Sequence, residues 1–145
     1  MKKIIFIYLC FLPLTIFSGE IASRGGIIIK MAEFRNDKGD VRIAVYKSKD
    51  GFPDKFDKAF KTQIIKIKNQ KAETAIADIP YGAYAAAILH DENSSGDMDS
   101  NWLGIPKEGY GASNNIVNKF GPPKFSDSKF ILESKEIVIN IKVQY

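Results

Sequence analysis

From Ile27 to the C-terminus, apolar and polar positions alternate in short blocks. In the last block Ile137, Ile139, Ile141, Val143 and Tyr145 fall on one side, with Val138, Asn140, Lys142 and Gln144 on the other. A period of two is the mark of a half-buried strand. Ile27, Ile29 and Met31 alternate in the same way with Ile28, Lys30 and Ala32, as do Val41, Ile43 and Val45 with Arg42, Ala44 and Tyr46. Asn36-Asp37-Lys38-Gly39 lies between these two blocks and supplies turn chemistry, which predicts a hairpin. Further strands are predicted over Thr62–Lys68, Ala72–Asp78, Ala83–His90 and Lys129–Glu133, with Pro80-Tyr81-Gly82 as one of the turns. The helical signal is confined to Asp54–Phe60, where Phe56, Ala59 and Phe60 follow i, i+3, i+4 spacing and support one or two turns. Two half-apolar sheets must cover each other, so the pattern predicts an all-β fold. The expected architecture is a seven-stranded antiparallel β-sandwich forming a single domain over residues 25–145.

The first residues follow a different rule. Met1-Lys2-Lys3 is basic, Ile4–Phe17 is apolar apart from Tyr8, Cys10, Pro13 and Thr15, and small residues follow at Ser18, Gly19, Ala22 and Ser23. That is the three-part layout of a secretory signal peptide, in a run too short for a good membrane span. Residues 1–19 are read as the leader, with cleavage near Ser18 or Gly19 and Ala22 as the alternative. An uncleaved anchor is the competing reading. The expectation is an exported protein, periplasmic or secreted, with no integral membrane segment in the mature chain. Cys10 is the sole cysteine, lies inside the leader and follows Leu9 rather than a small residue, which argues against a lipoprotein site. The mature chain would then depend on packing rather than disulfides.

Composition narrows the function classes. The 145 residues are 45% hydrophobic and 26% charged, which excludes wholesale disorder and collagen-like repetition. One Cys and one His exclude Cys-rich zinc or iron–sulfur sites and multi-histidine metal sites within one chain. The formal charge of +4 falls to +2 once Lys2 and Lys3 are removed with the leader, and without clustered positive charge no nucleic-acid partner is implied. Residues 72–106 contain no Lys or Arg but hold Glu73, Asp78, Asp91, Glu92, Asp97 and Asp99. This acidic stretch is the main asymmetry of the chain.

The segment Asp91–Ser128 shows no strand period and carries five Gly, five Asn and three of the six prolines. Structureless connections beyond ~12–15 residues are uncommon in compact domains and are usually functional or disordered. Trp102, Leu103, Ile105, Tyr110, Phe120 and Phe125 argue for order, because disordered segments are poor in aromatics. Trp102 and Phe120 are expected to tuck this excursion onto the sandwich, and Tyr110, between Gly109 and Gly111, to be the exposed group. At its start, Asp91, Asn93, Ser95, Asp97 and Asp99 alternate around Gly96 in the manner of a calcium loop, a candidate site for a hard ion wanting 6–8 oxygens. Position 12 of such a loop, normally a bidentate Glu, is Trp102, so any calcium site is expected to be weak unless a distant acid such as Glu108 substitutes. The competing reading is an Asx-rich turn bonded to its own backbone. His90 beside Asp91 admits acid–base chemistry, with Ser94, Ser95 and Ser113 available, but no nucleophile motif accompanies it. Asp97 and Asp99 as a glycosidase pair are disfavoured on one tight turn, and no phosphate-cradling glycine loop precedes a helix.

Several strings then become informative together: Arg35-Asn36-Asp37-Lys38-Gly39, Gly51-Phe52-Pro53, His90-Asp91-Glu92-Asn93, Leu103–Gly111 with Ser113-Asn114-Asn115, and Phe120-Gly121-Pro122-Pro123. They resemble the domain of unknown function 2141 family of exported bacterial proteins, over roughly Ile27–Tyr145. Ser94 and Ser95 stand where the family's acidic loop shows glycine and asparagine, and Trp102 and Ala112 where Phe is commoner. The resemblance implies a sandwich related to transthyretin-like or carboxypeptidase-regulatory-like accessory domains and brings no established activity. The leading expectation is an exported, non-enzymatic binding module of unknown envelope or extracellular ligand. Its contact surface would comprise Trp102, Lys107, Glu108, Tyr110, Asn114 and Asn115, since loops on rigid scaffolds carry recognition. The alternatives are a hydrolase or transferase using His90 with Asp91, Asp97 or Asp99, and a structural envelope protein whose loop is ordered by calcium.

Overall fold

The computed structural model describes residues 23–118 and 120–145, so the leader expected at residues 1–19 lies outside the described residues. The alternating blocks become strands β1 (Arg24–Ala32), β2 (Asp40–Tyr46), β3 (Lys61–Ile65), β4 (Lys71–Pro80), β5 (Gly82–Asp91), β6 (Gly109–Ala112), β7 (Phe130–Leu132) and β8 (Glu136–Lys142). Eight strands replace the expected seven, because β6 forms inside the excursion where no period was visible. The helical signal yields a single 3-10 turn at Phe56–Lys58, and a four-residue helix α1 (Phe125–Ser128) precedes β7.

Two sheets face each other in an all-β sandwich. One has the order β4-β1-β8; the other runs β3-β2-β5-β6, with β7 pairing the start of β5. The strand pairs are antiparallel except β1–β8, where Ile27, Ile29 and Met31 run parallel to Ile137, Ile139 and Ile141. The inward positions of the alternation fill the core: Ile27, Ile29, Met31, Val41, Ile43, Val45, Tyr84, Ile88, Ile139 and Ile141 pack in one buried cluster.

The expected hairpin between β1 and β2 does not form, since the two strands lie in different sheets. The turn chemistry reverses the chain, but the residues between them carry it across the sandwich. The crossing is pinned at several points: Asp37 accepts the N–H groups of Asn69 and Gln70 at 2.8 and 2.7 Å, and Asn36 Oδ1 accepts the Lys38 N–H at 2.9 Å. Gly39 has φ +66°, and a Cβ there would lie 2.0 Å from the Asp91 carbonyl oxygen, so only glycine lets the crossing approach the end of β5.

Strand β5 is buried along nearly its whole length. Tyr84, Ile88 and His90 face the core, while Ala87 joins Ala44 and Tyr46 in a second cluster packed against Phe52, Phe56 and Phe125. The larger sheet therefore carries a layer of loops on its outer face. A strand covered on both sides reads as a continuous apolar run rather than an alternation, as Ala83–Leu89 does.

Candidate functional site

The acidic turn begins where β5 ends. Asp91 is fully buried, and its Oδ2 accepts a hydrogen bond from Arg42 Nε at 2.8 Å. The same carboxylate receives the backbone N–H of Ser95 on Oδ1 and of Gly96 on Oδ2, both at 2.9 Å. Asn93 Oδ1 accepts from Ser95 N–H at 3.1 Å, Asn93 Nδ2 donates to Asp99 Oδ2 at 2.7 Å, and Ser95 Oγ donates to the Asp97 carbonyl at 3.1 Å. Calcium needs several of these oxygens converging on one point. The side chains of Asp91, Asn93 and Ser95 turn to the turn's own backbone and that of Asp99 to Asn93, and the Arg42 guanidinium supplies the positive charge beside the buried Asp91 carboxylate. Among the described residues no three His, Cys, Asp or Glu side chains come together as a metal-binding group. In this arrangement the oxygens are engaged as in an Asx-type turn.

Glu108, expected at the contact surface, is buried at 4% exposure. Its two oxygens accept the backbone N–H groups of Glu92 and Asp99 at 2.9 and 3.1 Å, which ties the two ends of the acidic turn together. A buried carboxylate needs such donors to offset its desolvation. Sequence spacing cannot separate this role from an exposed one.

His90 is also wholly buried. Its Nε2 lies 2.9 Å from the Lys38 carbonyl oxygen, which only accepts, so Nε2 carries a proton. Nδ1 lies 2.6 Å from the Tyr145 hydroxyl, whose oxygen accepts the Arg35 N–H at 3.0 Å. Both ring nitrogens are committed, and the Phe34 ring packs edge-on 5.2 Å away. Ser113, one candidate nucleophile, is buried as well and bonds Ala86 N–H and the Ser128 carbonyl. Glu92 lies beside this group: burial pushes its carboxyl up, but hydrogen bonds from Asn36 and Arg35 and the Arg35 charge outweigh burial and hold it below the usual range. The geometry is that of a strut joining the crossing loop, the end of β5 and the C-terminal residue.

Asn114 and Asn115 are braces. Asn114 Nδ2 donates to the carbonyls of Asp127 and Lys129 at 3.0 Å each. The Asn115 carboxamide stands in for a strand along the free edge of β8, donating to the Asn140 carbonyl at 3.2 Å and accepting the Lys142 N–H at 2.8 Å. Just beyond, Tyr110 and Gln144 exchange both backbone hydrogen bonds at 2.9 and 2.8 Å, which joins β6 to the chain following β8.

An open concavity lies on the outer face of the larger sheet. It is a cleft of about 640 Å³ with Ala87, Leu89 and Tyr110 among its floor residues. Its walls come from three loops: Pro53, Asp54 and Phe56; Asp97, Met98, Ser100 and Gly104–Pro106; and Asn118 with Gly121–Pro123. Its size lies within the ~300–1,000 Å³ typical of ligand clefts. Beside it the chain forms a small hairpin. Ser100 bridges Pro106, Lys107 N–H donates to the Asp99 carbonyl at 2.8 Å, and Asn101 N–H donates to the Ile105 carbonyl at 2.9 Å. Asn101 Oδ1 also accepts the N–H groups of Leu103 and Ile105 at 2.9 and 3.0 Å. This fastened backbone presents Trp102 at 91% exposure, Leu103 at 61% and Ile105 at 55%; across the cleft Phe120 is 94% exposed.

The expectation that Trp102 and Phe120 pack the excursion onto the sandwich is thus overturned. Phe125 does that work from α1, against Phe52 at 5.9 Å, and Tyr110 is half-buried in β6. Of the contact residues named from sequence, Trp102, Lys107 and Tyr110 lie at or beside the cleft. The backbone oxygen of Lys107 accepts from Arg35 Nη2 at 3.0 Å, and its side chain is exposed. Sequence reasoning missed Pro53, Phe56, Met98, Pro106 and Pro122. A usable signal was present in the alanines of β5, which leave shallow floor under any loop laid over them.

Among the described residues no helix is long and apolar enough to cross a membrane. No curated protein and no solved structure matches the chain. A family model does match, over residues 29–140, which is most of the chain. The protein belongs to the DUF2141 family, described as an uncharacterized protein conserved in bacteria.

Proposed function

We propose that this protein is an exported, non-enzymatic binding or accessory module. In this reading the sandwich is the scaffold, and the cleft with its apolar rim is the contact surface. The observation that carries it is the fastened tip, in which three neighbouring apolar side chains are held in solvent by a hairpin whose backbone is already hydrogen-bonded. Contiguous exposed apolar groups on a soluble domain mark interaction sites. A pre-ordered tip also loses little entropy on binding. Export is supported by the leader pattern of residues 1–19. His90 supports no catalytic reading, since it has no open face for a substrate.

The chain contains a single tryptophan, so emission from Trp102 reports on the rim alone. Titration with the neutral apolar dye Nile red should brighten the dye and shift Trp102 emission to the blue. Ile105→Ser and Phe120→Ala should remove most of the dye response while leaving the unfolding midpoint unchanged. Dye brightening of equal size in wild type and both variants would overturn the assignment of the cleft.

A further inference from the structure

We infer that the cleft receives an extended peptide segment of another protein in which a lysine or arginine is flanked by apolar residues; this rests on the binding reading above. The first ground is charge. Among the described lining residues the charged ones are Asp54 and Asp97, and none of these described residues is Lys, Arg or His. Asp97 makes no ion pair among the described residues, and Asp54 faces Lys55 only at 3.8 Å with both side chains exposed. The field of that wall reaches inward: the Tyr46 hydroxyl is pushed up to about 12, first by burial and then by the charges of Asp54 and Asp57. An anionic ligand would meet repulsion from these two carboxylates, and a neutral one would gain nothing from them.

The second ground is the character of the walls. Pro53, Pro106, Pro122 and Pro123 stand around Phe56 and Tyr110, so the surface is ridged, apolar and stiff. Grooves lined by aromatic side chains suit extended, proline-bearing peptides, whose ordering cost is low. Ser100 and Asn118 add polar side chains able to meet a peptide backbone. A cationic side chain would lie against the carboxylates while its apolar neighbours fill the space over Ala87, Leu89 and Ile105.

The test is a Trp102 fluorescence titration with acetyl-Pro-Leu-Pro-Arg-Leu-Pro-Leu-amide and with the same peptide carrying Gln in place of Arg. Exposed carboxylate–cation pairs contribute about threefold in affinity each, so the Arg peptide should bind roughly tenfold tighter. The preference should shrink with added salt. Asp54→Asn with Asp97→Asn should abolish it, so that the two peptides bind the variant equally. Equal affinity of wild type for the two peptides would overturn the proposal. If Nile red enters the cleft but neither peptide does, the peptide proposal falls and the binding reading stands; if none of the three binds, both fall. A Trp102 blue shift with phosphatidylcholine vesicles and none with peptide would overturn the proposal in favour of seating on lipid.

Discussion

Removing the Asp91 carboxylate is the sharpest test of how the acidic turn is held. In Asp91→Ala, Arg42 loses the acceptor of its 2.8 Å hydrogen bond, and the N–H groups of Ser95 and Gly96 lose theirs. The Asp91 side chain is 1% exposed and that of Arg42 25%. Breaking a buried pair by removing one partner costs ~3–5 kcal/mol. Because Arg42 keeps partial contact with water, the lower part of that range applies, about 3 kcal/mol. In a domain of this size that corresponds to a fall of roughly 10 °C in melting temperature. Asp91→Asn keeps an acceptor oxygen but no charge and should cost about 2 kcal/mol. Urea unfolding of wild type, Asp91→Ala, Arg42→Met and the double variant gives the coupling directly, and it should exceed ~1 kcal/mol. Coupling below ~0.5 kcal/mol would refute the guanidinium's role. So would a marked rise in wild-type melting temperature with millimolar calcium, since an ion at 100-fold excess over its Kd adds ~2.7 kcal/mol. That rise would mean that the turn's oxygens are free to take a metal.

Two further outcomes follow from the same geometry. Asn115→Ala removes both hydrogen bonds to the β8 edge and should cost about 1–2 kcal/mol; because an uncovered edge is a template for pairing, sedimentation should also show more self-association than wild type, and an unchanged monomer fraction would show that the edge is protected some other way. The buried Tyr46 hydroxyl, raised by burial and by Asp54 and Asp57, keeps its proton in the folded state after the unfolded chain has lost it. Stability should therefore be intact below pH ~10 and decline as pH rises towards about 12. Tyr46→Phe should flatten that decline in urea melts recorded across the alkaline range, and a decline of unaltered slope would assign it to other groups.

The sandwich was legible in the alternation because the core-facing positions of β1, β2 and β8 obey one local rule. Ile27, Ile29, Met31, Val41, Ile43, Val45, Ile139 and Ile141 are predicted inward and are buried. Strand β6 was not legible for a local reason as well. Gly109-Tyr110-Gly111-Ala112 has poor strand propensity, and its glycines serve a distant neighbour. A Cβ at Gly111 would lie 2.8 Å from the Lys142 carbonyl oxygen, and one at Gly109 would lie 2.5 Å from Val143 Cγ1. The strand exists because it pairs with β5 while the C-terminal segment runs across it, contacts that no short window of residues contains.

The candidate site divides in the same way. Local order within Asp91–Ser128 and the oxygen-rich turn could be read directly, since aromatic content and Asx spacing act over a few residues. Which aromatic is buried and which carboxylate is satisfied depends on what the rest of the chain brings opposite. Phe125 meets Phe52, while Trp102 and Phe120 meet solvent. Asp91 meets Arg42 from β2, and Glu108 meets two N–H groups of the acidic turn. The alternation of side chains thus determined two covered sheets, and the aromatic content an ordered excursion. Only the packing of that excursion and of the Pro53–Phe56 loop over Ala87 and Leu89 of β5 decided where the cleft lies and which side chains rim it. Burial and charge pairing are relations between distant segments, whereas strand period belongs to a single one.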